Sequence, residues 1–323
     1  MLGNPDRPIG GLAVRPPAGV ELRPLGRGDL EAAVAMGRER RELTAFAEPE
    51  RLRDRYEALL NDPDTVAFLA LAEGQAAGMS ALSLRRRLNF ATFEGWLAEL
   101  YVRPAHGGQG IGRALLDASL AEWRLRGSHR VLAPVGLRED AGRRLLEGAG
   151  FEQGFVDYRL APVPLPEPPA ASGLAVRSVE LRDAEAVTRL IAEFGPRRSP
   201  VPDRMEAVLR TFGMHLRAVE AGRAGTLVAE LEGRVVGVCT LEWQLPIWTD
   251  ALIGWIPELV VTEPVRGRGI GRALLAHALH RAAERGVAEV RLESGPQRAT
   301  AHALYRSVGF EEAGQTWVLR REE

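Results

Sequence analysis

The chain contains no lysine: all 42 of its basic residues are arginine. The plain reading is a coding bias towards arginine rather than forty-two selected guanidinium contacts. Cysteine occurs once, at Cys239. A lone cysteine excludes an intramolecular disulfide and a cysteine zinc cluster, so the expectation is a reducing, cytoplasmic setting with Cys239 in the core and no metal. No stretch approaches the roughly 18 apolar residues of a membrane span, and Met1–Gly19, rich in Pro and Gly, lacks the apolar run of a signal peptide. A soluble protein without a membrane partner is expected. Excess charge is missing too: the formal net charge is -1, which argues against a nucleic-acid binder, since that function calls for a basic excess. What is present is ordinary globular composition, 46% hydrophobic and 26% charged over 323 residues. That length suits two domains of roughly 150 residues each.

The pattern along the chain alternates strands and helices. After the tail, Val20–Arg23 reads as a strand, and Asp29 as the cap of a helix beginning Leu30-Glu31-Ala32-Ala33. Asp54–Leu60 continues helical. Strands follow at Val66–Leu71 and Ala77–Leu84 around the turn Glu73-Gly74-Gln75, then at Trp96–Val102. A helix from Arg113 to Arg126 ends at Gly127, followed by a strand at His129–Val135, a helix at Asp140–Glu147 and a last strand near Tyr158–Leu160. Residues 161–173 hold five prolines and read as a semi-rigid extended linker. Beyond them the pattern repeats, with a strand at Leu174–Arg177, Asp183 as a cap, and a hairpin of Thr226–Leu231 with Arg234–Leu241.

The repeat is in register. Gly110 and Gly269, Glu99 and Glu258, Gly127 and Gly286, and Gly150 and Gly309 are all 159 positions apart. One offset across four landmarks marks an internal duplication, with domains at 20–160 and 174–323. Its centre is the run Arg266-Gly267-Arg268-Gly269-Ile270-Gly271-Arg272, which leads from a β-branched strand straight into an amphipathic helix. Glycines at a helix N-terminus leave backbone N–H groups open to a phosphate, and the helix dipole favours its charge.

Glu-Leu-x-Val, a spacer, Arg-x-x-Gly-x-Gly, an Ala-Leu-Leu helix, and Ala301-His302-Ala303-Leu304-Tyr305 ahead of Gly309-Phe310 together resemble the GNAT acetyltransferase superfamily, once per half. The resemblance implies an α/β (α+β) fold of two tandem GNAT-like domains. Each would be a mixed, largely antiparallel splayed sheet flanked by helices, with acyl-CoA between its fourth and fifth strands. In the second half these would be Trp255–Val261 and Ala288–Glu293. The implied activity is transfer of acetyl from acetyl-CoA to a primary amine of a small molecule or peptide by direct attack in a ternary complex. Tandem GNAT chains of this size include mycothiol synthase, to which the likeness is one of architecture only, since Leu292-Glu293-Ser294-Gly295-Pro296-Gln297 does not resemble that enzyme's usual stretch. A lysine-free chain cannot acetylate itself on a lysine side chain.

The resemblance also implies residue roles. Main-chain groups of Leu259, Val260 and Val261 would pair with the pantetheine arm. Amides from Arg266 through Gly267, Arg268, Gly269, Ile270 and Gly271 would hold the pyrophosphate, with Arg272 adding charge. Tyr305 would be the acid at the departing thiolate and Glu258 the base, acting through a water, with Glu242 and Glu293 as unranked substitutes. His302 is a further candidate relay; His277 and His280 share a helix with no ligand cluster around them. In the first half the counterparts are Leu100, Tyr101 and Val102, then Gly107, Gly108, Gln109, Gly110, Ile111 and Gly112. There the halves diverge: Arg266 aligns with Gly107 and Tyr305 with Leu146. The expectation is a catalytic second half and a degenerate first half. Arg298 stands where many relatives carry Asn. An acceptor pocket is expected near Phe194–Met214 and Trp243–Asp250, lined by Trp243, Trp248 and Trp255. A reading of another class also stays open, in which both halves are non-catalytic acyl-CoA sensors or interaction modules. A duplicated chain can pair its own halves, so a monomer with an internal pseudo-dimer is expected.

Overall fold

The structure, a computed structural model, describes residues 14–39, 49–85, 87–88, 92–137, 139–168, 172–194, 204–247 and 251–321. The first half runs β1 (Val20–Pro24), α1 (Leu30–Glu39), α2 (Pro49–Asn61), β2 (Thr65–Ala72), β3 (Gln75–Arg85), β4 (Glu94–Val102), α3 (Ile111–Leu125), β5 (Arg130–Gly136), α4 (Asp140–Glu147) and β6 (Glu152–Leu160). The second runs β7 (Leu174–Ser178), α5 (Ala184–Phe194), α6 (Arg204–Glu220), β8 (Leu227–Leu231), β9 (Arg234–Cys239), β10 (Glu242–Gln244), β11 (Ile253–Ile256), β12 (Leu259–Val261), α7 (Ile270–Glu284), β13 (Glu289–Ser294), α8 (Ala299–Val308) and β14 (Glu311–Arg320). Parallel pairing occurs at β4–β5 and β11–β13; the other named pairs are antiparallel.

Helix α3 and its twin α7 show how the duplicated pattern becomes structure. Each starts at a glycine in the left-handed region, Gly110 at φ 82° and Gly269 at φ 80°. Each buries the same face: Ile111, Leu115, Leu116 and Leu120 in one, Ile270, Leu274, Leu275 and Leu279 in the other. The four positions correspond at the offset of 159 and recur with helical spacing, which is why a single stripe faces the sheet.

The halves are interleaved through their last strands. The large sheet has the order β1-β2-β3-β4-β5-β14-β6-β13-β11-β10, and a second sheet has the order β12-β9-β8-β7. Strand β14 therefore lies against β5 of the first half, and β6 against β13 of the second. Tyr158 and Leu160 join the core of the second half, while Trp317 joins that of the first. Where β6 meets β14, residues that correspond in the duplication face each other, Val156 opposite Gln315. Trp96 and Trp255, also 159 apart, stack edge to face at 5.7 Å. A pseudo-twofold axis runs through this seam.

Several expectations change in detail. The expected strand Trp255–Val261 is divided: β11 stays in the large sheet, β12 belongs to the small one, and Pro257-Glu258 lies at the break. Proline has no N–H for the ladder, which suits it to such an interruption. The hairpin strand stops at Cys239 rather than Leu241, and the strand expected at Ala288–Glu293 spans Glu289–Ser294. The last strand of the first half begins at Glu152 rather than near Tyr158, and α2 begins at Pro49 rather than Asp54. Asp29 and Asp183 close 3-10 turns ahead of α1 and α5 instead of capping those helices. Their carboxylates accept from the N–H of Gly26 and Glu180 and from the guanidinium groups of Arg23 and Arg177. The proline segment is not wholly apart from the core, since Val163 packs on it and the Pro166 carbonyl lies 3.0 Å from His280 Nε2. No helix among the described residues is long and apolar enough to cross a membrane.

Candidate active site

The glycine loop between β12 and α7 has the form that anion binding requires. Gly267 and Gly269 have φ of 79° and 80°, a backbone that L side chains rarely adopt. Open space surrounds the position of an added Cβ at both, whereas at Gly110 of the first half Pro17 lies 3.3 Å away. No side chain caps α7, so its first N–H groups point into the loop. Of the flanking arginines, Arg266 donates from Nε to the Val261 carbonyl at 2.9 Å, and Arg272 donates to Ser307 Oγ at 2.7 Å. Both are thereby held beside the loop by protein contacts; Arg268 is exposed.

Tyr305 sits on α8, buried, in an aromatic cluster with Tyr158 and Phe310 at centroid distances of 5.6 and 6.0 Å. Burial, with a contribution from the neighbouring Cys239, pushes its phenol up to about 12. Tyr305 is therefore protonated across the neutral range. Cys239 is itself buried, and burial also raises its thiol to about 12. His302 packs its ring 5.3 Å from Tyr158, and its buried Nε2 meets no hydrogen-bond partner among the described residues. His277 Nδ1 lies 2.9 Å from the Ala273 carbonyl of its own helix.

Glu258 lies at the break between β11 and β12 and is 2% exposed. Thr240, between β9 and β10, bridges the gap: its hydroxyl oxygen is 2.5 Å from Glu258 Oε2 and accepts from the Glu258 N–H at 2.9 Å. The other carboxylate oxygen faces Arg87 of the first half, whose Nε is 3.3 Å from Oε1. A cavity of about 160 Å³ opens beside this carboxylate, walled by Glu242, His215, Thr211, Met214 and Leu88. Burial, then the charge of Glu258, raises the Glu242 carboxyl to about 7. Burial also lowers His215, whose ring bonds to the Thr226 hydroxyl. Thr211 and Met214 fall in the expected acceptor region, while Trp248 lies outside the described residues. Trp243 packs on the second half's core, and Trp255 is buried against Trp96.

Around the seam these groups join a charge cluster. Burial alone would raise the Glu94 carboxyl, but Arg130, Arg87 and Arg85 outweigh it and hold it at about 2. On the axis, Thr316 Oγ1 lies 2.7 Å from Asp157 and 2.8 Å from Glu293. One hydroxyl proton serves one acceptor, so this arrangement favours a proton on one of the two carboxyls. Burial and the charge of Glu293 accordingly raise Asp157 to about 8. This contact ties Glu293 to the seam, whereas Glu242 faces the cavity.

A larger cleft, about 530 Å³, opens where β4 and β5 part beyond Trp96 and Leu132 and runs across the seam, where Trp255, Arg291 and Gly314 of the second half also line it. Leu97, Leu100, Ala133 and Val135 line it, together with Leu146 at the place corresponding to Tyr305. Glu99, the counterpart of Glu258, is buried on β4, which stays one strand from Glu94 to Val102 but shifts register against β3 at Ala98, next to Glu99. Glu242, Thr240 and Arg87 correspond there to Ser83, Ala81 and, on the opposite half, Pro246. No group of three or more metal-ligating side chains occurs among the described residues.

Comparison with known proteins agrees with this architecture. The chain matches the Acetyltransferase (GNAT) family over residues 34–151 and again over 185–310. It belongs to the GNAT acetyltransferases, as a tandem chain with two GNAT regions. It is accordingly an N-acetyltransferase, of a family that uses acyl-CoA donors and acetylates amines. A mycothiol acetyltransferase of Clavibacter sepedonicus is 32% identical over 69% of this chain and 72% of its own length, so the likeness extends beyond architecture to sequence. Among solved structures, a GCN5-related N-acetyltransferase from Sphaerobacter thermophilus is similar at TM-score 0.66 and 23% identity, covering 95% of this chain and 97% of that one. A tandem GNAT protein from the clavulanic acid biosynthesis pathway is similar at TM-score 0.62 and 16% identity, covering 94% and 99%. These two likenesses concern the fold.

Proposed function

We propose that the second half transfers an acetyl group from acetyl-CoA to a primary amine by direct attack, and that the amine enters the cavity beside Glu258. The observation that carries this reading is the paired carboxylates at the strand break: Glu258 held by Thr240 and Arg87, and Glu242 facing it across about 160 Å³. An alkylammonium is attracted to that pair and must lose its proton before attack. A carboxyl near 7, as Glu242 is, accepts a proton at neutral pH far better than one with an ordinary carboxylate pKa near four. Glu242 thus takes the role of base, and Glu258 is the fixed negative charge that orients the amine and raises Glu242.

Acetyl-CoA supplies the activated thioester. This chain's part is to hold it, with the amides of residues 266–271 on the pyrophosphate and main-chain groups of Leu259–Val261 along the pantetheine. Tyr305, raised to about 12, lies well above a thiol near 8.5, so it hydrogen-bonds the departing thiolate rather than surrendering its proton. Leu146 has no such proton. The opening between β4 and β5, lined by Leu97, Leu100, Ala133 and Val135, supports a role in which the first half holds acyl-CoA without transferring from it.

The test is free-thiol release from acetyl-CoA with a panel of amines headed by desacetylated mycothiol, as the relative's name suggests, and including aminoglycosides, amino acids and peptide N-termini. Turnover with at least one amine is expected, and Tyr305→Phe should lower kcat about a hundredfold. Binding of acetyl-CoA with no turnover on any amine, or a fully active Tyr305→Phe chain, contradicts the reading.

A further inference from the structure

We infer that Arg87, carried by the first half, is a positioning residue of the second half's site. The inference rests on the reading that the second half catalyses. Arg87 follows β3 and reaches across the seam with its side chain 12% exposed. Its Nη2 donates to the Pro257 carbonyl at 2.6 Å and its Nε to Glu258 at 3.3 Å. Its Nη1 lies 3.7 Å from Glu94 and 3.9 Å from Glu293. The guanidinium thus binds both the main chain at the strand break and the carboxylate that the break presents. A planar fork holds both with donors fixed in one geometry, whereas the rotatable donors of a single ammonium do not impose that spacing.

The duplication separates this contact from mere architecture. Leu88 of the first half is buried in the cluster under α5 and α6, and its counterpart Ile247 is buried in the cluster under α1 and α2. Each connection between the third and fourth strands therefore anchors on the opposite half. One position earlier the symmetry fails, with Arg87 on one side and Pro246 on the other. Anchoring is served equally by both connections, but at this position one connection brings Arg87 to Glu258 while the other carries Pro246, which has no donor to offer. The first half supplies part of the site it faces, which gives the paired arrangement a function that a degenerate copy alone would lack.

Arg87 acts on the reaction through Glu258 and through the field at Glu242. The groups that face Glu242 are Glu258, His215, Arg85 and Arg87, with the Gln244 amide beside it. Removing Arg87 withdraws a positive charge that holds the Glu242 carboxyl down, so the acidic limb of kcat/KM should move to higher pH.

The test compares Arg87→Gln, Arg87→Lys, Glu258→Gln and the double variant Arg87→Gln/Glu258→Gln in the full chain. Arg87→Gln is expected to lower kcat about a hundredfold with KM for acetyl-CoA unchanged, and to displace the acidic limb upward. The double variant should be no slower than Glu258→Gln alone, since both changes cut the same link. If Arg87→Gln loses its fold, Arg87→Lys decides: it keeps the charge but not the fork, so kcat should fall at an unchanged melting temperature. Wild-type kcat and an unmoved limb in the folded Arg87 variants, or additive losses in the double variant, overturn the inference. A fully active Glu258→Gln chain instead overturns the second-half reading on which it rests.

Discussion

A carboxylate beside another carboxylate is a poor place for a second negative charge, and Glu242 shows the result. Burial and the facing charge of Glu258 raise it to about 7, so its proton is lost only as the solution approaches neutrality. Because the basic form does the work, kcat/KM should climb between about pH 6 and pH 8 with a midpoint near 7. Glu242→Gln should remove that limb and lower the plateau, as read from the pH profile of thiol release. An unaltered limb in that variant would assign the titration to the amine itself. The same shift acts on stability with a definite sign. The folded carboxyl keeps its proton where the unfolded one, near 4.5, has lost it, so this group makes the fold less stable as pH rises from about 4.5 to about 7.

At the scale of elements, the strand break and the two crossing connections decide where the site lies. Leu88 is 3% exposed among Val187, Ile191 and Phe212, although it belongs to the other half. Leu88→Ala should cost about 2–4 kcal/mol in denaturant unfolding, the usual range for a buried leucine. The loss should appear in one cooperative transition, because each half's last strand is built into the other's sheet; two separated transitions would contradict this. Helices α3 and α7 and their glycine starts were legible in the sequence, since helical periodicity and a positive φ are local demands. The fold class followed from the resemblance to the GNAT superfamily that the motifs carry. The division of Trp255–Val261 was not legible, although Pro257 is its local cause, because the apolar run continues across it. Arg87 left no local mark either, as a contact across the seam has no period, nor did Thr240, which meets Glu258 from between β9 and β10 of the same half. The usable signal was a mismatch: at one offset, Arg87 aligns with Pro246, Thr240 with Ala81 and Glu242 with Ser83.

For the whole molecule, the exchange of β6 and β14 joins strands of both copies in one ten-stranded sheet, while β12-β9-β8-β7 of the second half form another, and the counterparts Glu99 and Glu258 lie in unlike surroundings. One lies beside a register shift within a single strand; the other lies where the strand divides between two sheets, held by Thr240 of its own half and by Arg87 from across the seam. The duplication thus supplies its own internal control, the same residue type at the same place in two halves. The most direct measurement is kcat/KM with acetyl-CoA and the best amine for Glu258→Gln and Glu99→Gln side by side, each below its own melting temperature. The account predicts a loss of about a hundredfold or more for Glu258→Gln and none for Glu99→Gln. An active Glu258→Gln chain beside an inactive Glu99→Gln chain would place the chemistry in the first half and contradict it.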